Sequence, residues 1–174
     1  LQDLVDHNPF DGYEHDKKEG MLHVADHHIS QGKKQWTWGN GDFGIAWDRN
    51  LTDEDGPYVE LMTGVYTDNQ PDFSWIMPYE EKTFTQYFLP YREVGIVKNA
   101  TKDILVGLEV ANNKIVIKVF ATAAQPQVAI MLWHKDEILL TENTSISPEV
   151  IYVKEILSDN VDVNALTLTV TGPN

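Results

Sequence analysis

The chain has 174 residues, with 13 Lys and Arg against 27 Asp and Glu, which gives a formal net charge of −14. A surface this negative repels phosphate groups, so the composition argues against nucleic acid and anionic membranes as partners. There is no cysteine, which excludes disulfides, thiolate metal sites and cysteine nucleophiles.

The first part of the chain is predicted to consist of short β-strands joined by polar loops. Residues 20–30, 58–67 and 82–91 alternate their side chains with a period of two, as half-buried strands do. Asp, Asn, Gly and Pro are frequent between these segments and favour turns. Aromatic residues are concentrated here, because 15 of the 18 Phe, Trp and Tyr side chains precede residue 98.

The second part is predicted to be a small antiparallel β-sandwich. Its strands are expected within residues 104–111, 112–122, 127–134, 149–156 and 165–172. Asn112 and Asn113 suit the two-residue turn of a hairpin. Turn residues recur about every ten positions, which is the spacing of an immunoglobulin-like sandwich. The sequence therefore predicts an all-β protein.

A domain boundary is predicted between residues 97 and 98. The stretch KNATKD at 98–103 is polar and has no strong strand pattern, as is typical of a link between domains. We therefore expect an aromatic-rich β region at 1–97 and a small β-sandwich at 98–174. Each of the two is expected to have its own hydrophobic core.

Four segments carry a resemblance to a known family. HVADHHIS, GKKQWTWG, GIAWDRNLTDEDGPYVELMTGVYTDNQPDFSW and PYEEKTFTQYFLP resemble an uncharacterised bacterial domain of unknown function that precedes tetratricopeptide repeats. The resemblance covers residues 8–98, with Gln31 where the family pattern has proline. It implies a galactose-mutarotase-like supersandwich, a fold of aldose epimerases and glycoside hydrolase domains. Because that fold is larger than this chain, residues 1–97 are expected to be only part of it.

The chain begins with Leu1 and is expected to be a piece of a longer protein. The resemblance implies that the remaining segments of this parent, including its tetratricopeptide repeats, are partners. No apolar run is long enough to span a membrane, and no secretory signal opens the chain. A cytoplasmic location is expected because the chain has no cysteine, and a signal could lie outside this piece.

Three tryptophans, Trp36, Trp38 and Trp47, cluster among glycines in the stretch KKQWTWGNGDFGIAW. Indole rings stack on the apolar faces of pyranoses, and glycine lets the backbone approach a ligand closely. On a strand, Trp36 and Trp38 would project from the same face. The cluster is predicted to be a platform for a neutral sugar. Packing of the rings within an open sheet is the alternative.

Glu60 is the first candidate for catalysis, because it lies mid-strand with Tyr58 and Tyr66 on its own face. A carboxylate beneath aromatic rings would have a raised pKa, as an acid or base of sugar chemistry requires. In mutarotase-like enzymes a carboxylate acts as base and a histidine as acid, and the resemblance carries over only this logic. A solvated Glu on a half-exposed sheet is the alternative.

His27 and His28 are the histidine candidates for the same chemistry, as a proton donor or a hydroxyl ligand near the tryptophans. Hydrogen-bonded structural histidines are the alternative. His23 and His27 would share one strand face about 13 Å apart, which is too far for both to bind one metal ion. Neither a metal site nor a cofactor is predicted.

Asp68, Asn69 and Gln70 are predicted to hydrogen-bond to vicinal sugar hydroxyls, with ordinary turn chemistry as the alternative. Together with the tryptophans they predict a domain that binds or processes carbohydrate. In the intact parent it would be a mutarotase-like or glycoside-hydrolase-associated domain. The rival hypothesis is a non-catalytic structural or protein-interaction module, because the sequence contains no complete catalytic signature.

Overall fold

The computed structural model describes residues 10–54, 56–67, 72–159 and 161–172. The strands are β1 (Phe10–Glu14), β2 (Glu19–Ala25), β3 (Gly32–Thr37), β4 (Val59–Gly64), β5 (Gln86–Arg92), β6 (Asn99–Ala100), β7 (Ile104–Ala111), β8 (Lys114–Ala121), β9 (Gln125–His134), β10 (Glu137–Ile146), β11 (Tyr152–Leu157) and β12 (Leu166–Thr171). There is an α-helix, α1 (Asp42–Leu51), and a 3-10 helix, Val163–Ala165. β-Strand is the commonest structure, so the predicted all-β class is confirmed.

The described residues form two compact units. The sandwich unit contains residues 10–24 and 86–172, and the inserted unit contains residues 25–85. β2 and β5 are neighbours in one sheet, in the order β1-β2-β5. The inserted unit therefore occupies the connection between two adjacent strands. The boundaries of these units differ from the domain boundary predicted between residues 97 and 98. Whether residues 1–97 and 98–174 are independent domains stays a prediction.

A first hydrophobic core lies between two sheets of the sandwich unit. One sheet has the order β11-β8-β7-β6 and the other the order β10-β9-β12. Their alternating apolar side chains meet in this core, whose buried members are Ile115, Ile117, Val119, Ala121, Val128, Ile130, Leu132, Leu140 and Ile146. Because the chain places every second residue of β8 and β9 in the core, the two sheets form the sandwich that the sequence predicts.

A second hydrophobic core joins residues from both sides of the predicted boundary. Leu22, Val24 and Tyr91 precede residue 98, and they pack with Leu105 and Phe120. The expectation of a separate core on each side of residue 98 is therefore wrong. The reason is that Phe120 and its neighbours give β8 apolar side chains on both faces, whereas a sheet at the surface would be apolar on one.

The hairpin predicted at Asn112 and Asn113 is present. It joins β7 to β8, and both residues have positive φ, at 51° and 58°. Asparagine tolerates this left-handed conformation better than most residues, because its short polar side chain can hydrogen-bond locally.

Several elements differ from the predicted ones. β2 ends at Ala25 rather than at residue 30, and β5 continues through Pro90 to Arg92. β1, β10 and α1 were not predicted. β10 carries five polar residues in TENTS, and these mask its strand pattern. α1 has only Gly44 buried, so it lacks the broad apolar stripe by which a packed helix is recognised.

The inserted unit has little hydrophobic core of its own. It contains the antiparallel pair β3–β4 and helix α1. Among its described residues, Ala25 is the one buried hydrophobic side chain. Both clusters of buried apolar residues belong to the sandwich unit. The aromatic side chains of the inserted unit are therefore largely at its surface.

Candidate functional site

The centre of the candidate site is a cross-strand pair on the two-stranded sheet. In the register of β3 and β4, Trp36 lies opposite Glu60, and Lys34 lies opposite Met62. Side chains two residues apart on a strand share a face, so all four project from one side of the sheet. The structure thus brings together two residues that the sequence singled out, Trp36 and Glu60. Lys34 was missed, although its spacing of two from Trp36 is the signal that would have found it.

Both members of the central pair are accessible to solvent. Trp36 is 44% exposed, and Glu60 is also exposed. The burial beneath aromatic rings that was expected of Glu60 is therefore absent. One of the two expected rings, that of Tyr66, lies beyond the end of β4 and contacts Phe84 instead. Glu60 is better suited to accept hydrogen bonds from a ligand than to act as a buried acid.

The other two tryptophans do not lie on the strand with Trp36. Trp38 follows the end of β3, and its ring contacts Tyr58 at a centroid distance of 5.4 Å. Trp47 lies on helix α1, where it contacts Phe43 at 6.3 Å in an edge-to-face arrangement. Trp38 lies one residue beyond β3, which ends at Thr37, so a strand face shared by Trp36 and Trp38 stays a prediction.

Gly44 allows helix α1 to lie close to the loop that precedes it. A Cβ on Gly44 would lie 2.3 Å from the carbonyl oxygens of both Trp38 and Gly39. Only a residue without a side chain permits this approach. At its other end, the helix accepts a hydrogen bond at Asp48 Oδ1 from the Tyr58 N–H, at 3.1 Å. These two contacts fix the helix relative to the start of β4.

His27 and His28 lie in a tight turn rather than on a strand. The turn follows β2, and the imidazole rings are 3.9 Å apart between centroids. One ligand atom from each of Asp26, His27 and His28 lies within 4.8 Å of the others, so this group could hold a metal ion. His23 belongs to the sandwich unit, where it is buried with its ring 5.0 Å from Phe88. No metal site was predicted here because the strand was expected to run straight through residue 30, whereas β2 ends at Ala25.

Two other parts of the inserted unit bear on binding. Asp68, Asn69 and Gln70, predicted to bind sugar hydroxyls, lie outside the described residues. The segment 72–80 belongs to no strand or helix and is exposed throughout, with Trp75 at 80% exposure. Its other exposed apolar side chains are Phe73, Ile76, Met77 and Tyr79. The sequence reasoning assigned them no function.

The sandwich unit has a shallow cavity of about 380 Å³, lined by both charged and apolar side chains. Its lining includes Tyr13, Lys18, Glu93, Gly95, Glu109 and Lys118. Burial raises the pKa of Tyr13, and the nearby Glu93 and Glu109 raise it further, while a hydrogen bond with the Gly95 backbone lowers it. The cavity was not predicted, because its lining comes from turns and strands that are far apart in the chain.

Two family models match this chain. The model of the domain of unknown function DUF5107 matches residues 4–91, half of the chain. The chain belongs to this family. The second domain of YphG-like protein matches residues 99–174. The resemblance to an uncharacterised domain family is thereby confirmed, and the two matches leave residues 92–98 between them.

No solved structure matches this DUF5107 chain. Neither of the helices in the described part of the chain is long and apolar enough to cross a membrane.

Proposed function

We propose that this DUF5107 chain is a carbohydrate-binding domain in which a neutral sugar stacks on Trp36 and hydrogen-bonds to Glu60. The register of β3 and β4 supports this proposal, because it makes the two residues direct partners. The Cβ atoms of such partners are about 4.5–5.5 Å apart. A ring and a carboxylate at that spacing are within the span of one pyranose.

The chemistry of a sugar fits this pair. One face of a pyranose presents C–H groups that pack on an indole ring, and its rim presents hydroxyls that donate to a carboxylate. Lys34, on the same face of the sheet, adds a donor for hydroxyl oxygens. A neutral ligand is also compatible with a net charge of −14, which would repel an anionic sugar.

The other aromatic rings of the inserted unit extend the proposal. Trp38 with Tyr58, and Trp47 with Phe43, offer further stacking surfaces for a longer oligosaccharide. Hydrogen bonding by Asp68, Asn69 and Gln70 remains part of the prediction. So does acid–base chemistry by Glu60 with His27 or His28, which would turn binding into processing.

Tryptophan fluorescence during titration with neutral sugars tests the binding proposal. The panel comprises glucose, galactose, mannose and N-acetylglucosamine with their short oligomers. Trp36→Ala should weaken the affinity for the sugar about tenfold or more, which corresponds to about 1.4 kcal/mol. Trp75→Ala is the matched control, because Trp75 is an exposed tryptophan of the same unit outside the β3–β4 sheet. It should leave the affinity unchanged.

Two outcomes would overturn the proposal. One is that no sugar in the panel changes the fluorescence or the melting temperature of the wild type. The other is that Trp36→Ala and Trp75→Ala bind equally well. Catalysis is tested separately, because Glu60→Gln should abolish any mutarotation or glycosidase activity while sparing the fold.

A protein-interaction module is the second candidate function. It is favoured by the exposed apolar segment 72–80, since contiguous apolar surface usually marks an interface. In that case Trp75→Ala should weaken capture of the partner, and Trp36→Ala should not. A pull-down with segments of the parent protein, set beside a glycan array, separates the two candidates.

The context of the domain is also part of the proposal. We infer that it belongs to a larger bacterial protein with tetratricopeptide repeats, which would be located in the cytoplasm. In that protein, residues 1–97 would complete a mutarotase-like supersandwich with segments that precede them. The sequence of the whole parent tests this inference directly, because it must contain both the repeats and the missing strands.

A further inference from the structure

We propose that Asp26, His27 and His28 bind a divalent transition-metal ion, with Zn²⁺ as the natural occupant. The ligands would be one carboxylate oxygen and two imidazole nitrogens, with water in the remaining position. This inference does not depend on sugar binding at Trp36 and Glu60, since it concerns a different ligand. His27 and His28 are shared only with the predicted acid–base chemistry.

The turn that carries the three side chains is fixed by its own hydrogen bonds. The Asp26 carbonyl oxygen accepts from Ile29 N–H at 3.1 Å and from Ser30 N–H at 2.8 Å. Asp26 Oδ1 accepts from His28 N–H at 2.9 Å. One residue thus organises the backbone and orients its own carboxylate at the same time. A ligand set held in this way loses little entropy when it binds a metal.

The turn is also tied to the rest of the inserted unit. The Ile29 carbonyl oxygen accepts from Tyr66 N–H at 2.7 Å, and Gln31 Nε2 donates to the Tyr66 carbonyl oxygen at 3.0 Å. Ser30, between these two anchors, is buried. Hydrogen bonds to Tyr66 therefore hold the turn that carries the three ligands.

The distances are compatible with a tetrahedral ion after a small adjustment. The three ligand atoms lie within 4.8 Å of one another. Zn–N and Zn–O bonds of about 2.1 Å require ligand atoms about 3.4 Å apart. Closing the difference takes a movement of at most about 1.4 Å. His28 is exposed and can make it by side-chain rotation.

The donor types decide which ion is expected. Imidazole nitrogen favours Zn²⁺, Ni²⁺ and Cu²⁺, whereas Mg²⁺ and Ca²⁺ prefer sites made only of oxygen. A bound ion would also supply stability that the inserted unit lacks. Ala25 is the one buried hydrophobic side chain among its described residues, and the chain contains no cysteine for a disulfide. Small units with so little core are commonly stabilised by a metal.

Calorimetric titration of the untagged, chelator-treated full chain with ZnCl₂ tests this proposal. We expect saturable binding of one ion per chain and a rise in melting temperature, with no saturable binding of MgCl₂ or CaCl₂. Binding of Co²⁺ should give the visible d–d absorption of a tetrahedral site. His28→Ala should weaken Zn²⁺ binding at least tenfold, and His15→Ala, which removes an exposed histidine of the sandwich unit, should not.

Asp26→Asn is the second variant, because it keeps an oxygen that can accept from His28 N–H while removing the charged ligand. It should fold, as judged by circular dichroism, and bind Zn²⁺ more weakly. The proposal is overturned if the wild type shows no saturable binding of Zn²⁺. It is equally overturned if His28→Ala binds like the wild type, or if His15→Ala loses as much affinity as His28→Ala.

Discussion

Trp36 on β3 and Glu60 on β4 are direct partners across the two-stranded sheet. An aromatic surface and a carboxylate therefore meet on one face, although 23 residues lie between them in the sequence. The pairing depends on the connection through α1, which Gly44 and Asp48 hold in place.

The first prediction is that Trp36 and Glu60 act together on a sugar. If one pyranose contacts both residues, the double variant Trp36→Ala/Glu60→Gln should lose less affinity than the sum of the two single losses. Sugar titrations of the four proteins measure this coupling. Gln35→Ala is the control, because Gln35 is exposed on the opposite face of β3. Strictly additive losses would contradict a shared ligand.

The second prediction concerns Gly44. Replacing glycine by alanine inside a helix normally stabilises it by about 1 kcal/mol. At Gly44 the opposite sign is expected, because the new Cβ would lie 2.3 Å from two carbonyl oxygens. The helix should shift away from the loop at Trp38 and Gly39. A lower melting temperature and an altered near-ultraviolet circular dichroism signal of the tryptophans would report this shift.

Gly41→Ala is the matched control for Gly44→Ala. A Cβ at Gly41 meets no atom within 4 Å, so it should not displace the helix. If both variants leave the tryptophan signal unchanged, or if Gly44→Ala raises the melting temperature, the close approach at Gly44 is not a constraint on the fold.

The third prediction concerns the dependence of stability on pH. Hydrogen bonds from Lys154 and Tyr152 lower the pKa of Glu142. A carboxylate with a lowered pKa contributes stability above its unfolded pKa, about 4.3. This contribution is lost as the pH falls through the folded pKa. Wild type should therefore exceed Glu142→Gln in urea midpoint near neutral pH, and the difference should shrink below about pH 4.

Glu137→Gln is the control, because it removes a negative charge from the same strand at a residue that does not take part in the ion pair of Glu142 with Lys154. Its difference from wild type should depend less on pH. A Glu142→Gln difference that stays constant through the acid range would show that this ion pair does not favour the folded state. The effect should be modest, because both side chains are partly exposed and surface ion pairs contribute little.

The fourth prediction is that the inserted unit can be removed. Both hydrophobic cores lie in the sandwich unit, and the insertion connects neighbouring strands β2 and β5. Replacing residues 26–85 by about twelve glycine and serine residues, which reach roughly 20 Å, should leave a folded protein. Far-ultraviolet circular dichroism should show β-structure, and urea unfolding should be cooperative.

A fragment of residues 98–174 gives the contrast. It keeps the first core but lacks Leu22, Val24 and Tyr91, so it should expose Leu105 and Phe120. It should be less stable than the variant without the insertion and should bind a hydrophobic dye. Equal stability of the two proteins would mean that the second core contributes nothing.

The C-terminal sandwich was the most predictable part of the chain. β7 and β8 alternate with a period of two, and the Asn112–Asn113 turn lies between them. The whole hairpin can therefore be recognised within about twenty consecutive residues. Local patterns of this kind determine strand and turn together. β10 was not predicted because residues 141–145 are a run of consecutive polar residues, which resembles a loop.

The sequence allowed the residues of the candidate site to be named, but not their arrangement in space. Trp36 and Glu60 could be named from the sequence, but their pairing depends on the register between two strands that a helix separates. The group at Asp26, His27 and His28 depends on where β2 ends, which is decided by the hydrogen bonds of Asp26. The second core could not be foreseen, because its contacts join distant segments.

The residues of the second core are far apart in the sequence, and this separation determines when the core can form during synthesis. Leu22 and Val24 leave the ribosome before two of the side chains that pack with them, Leu105 and Phe120, which follow only after the inserted unit has been made. Until then the nascent chain exposes an apolar strand, and such long-range pairing is slow to form. Strand β2 should therefore be bound by chaperones until residue 105 has been made, and it should be prone to aggregate when translation stalls before that residue.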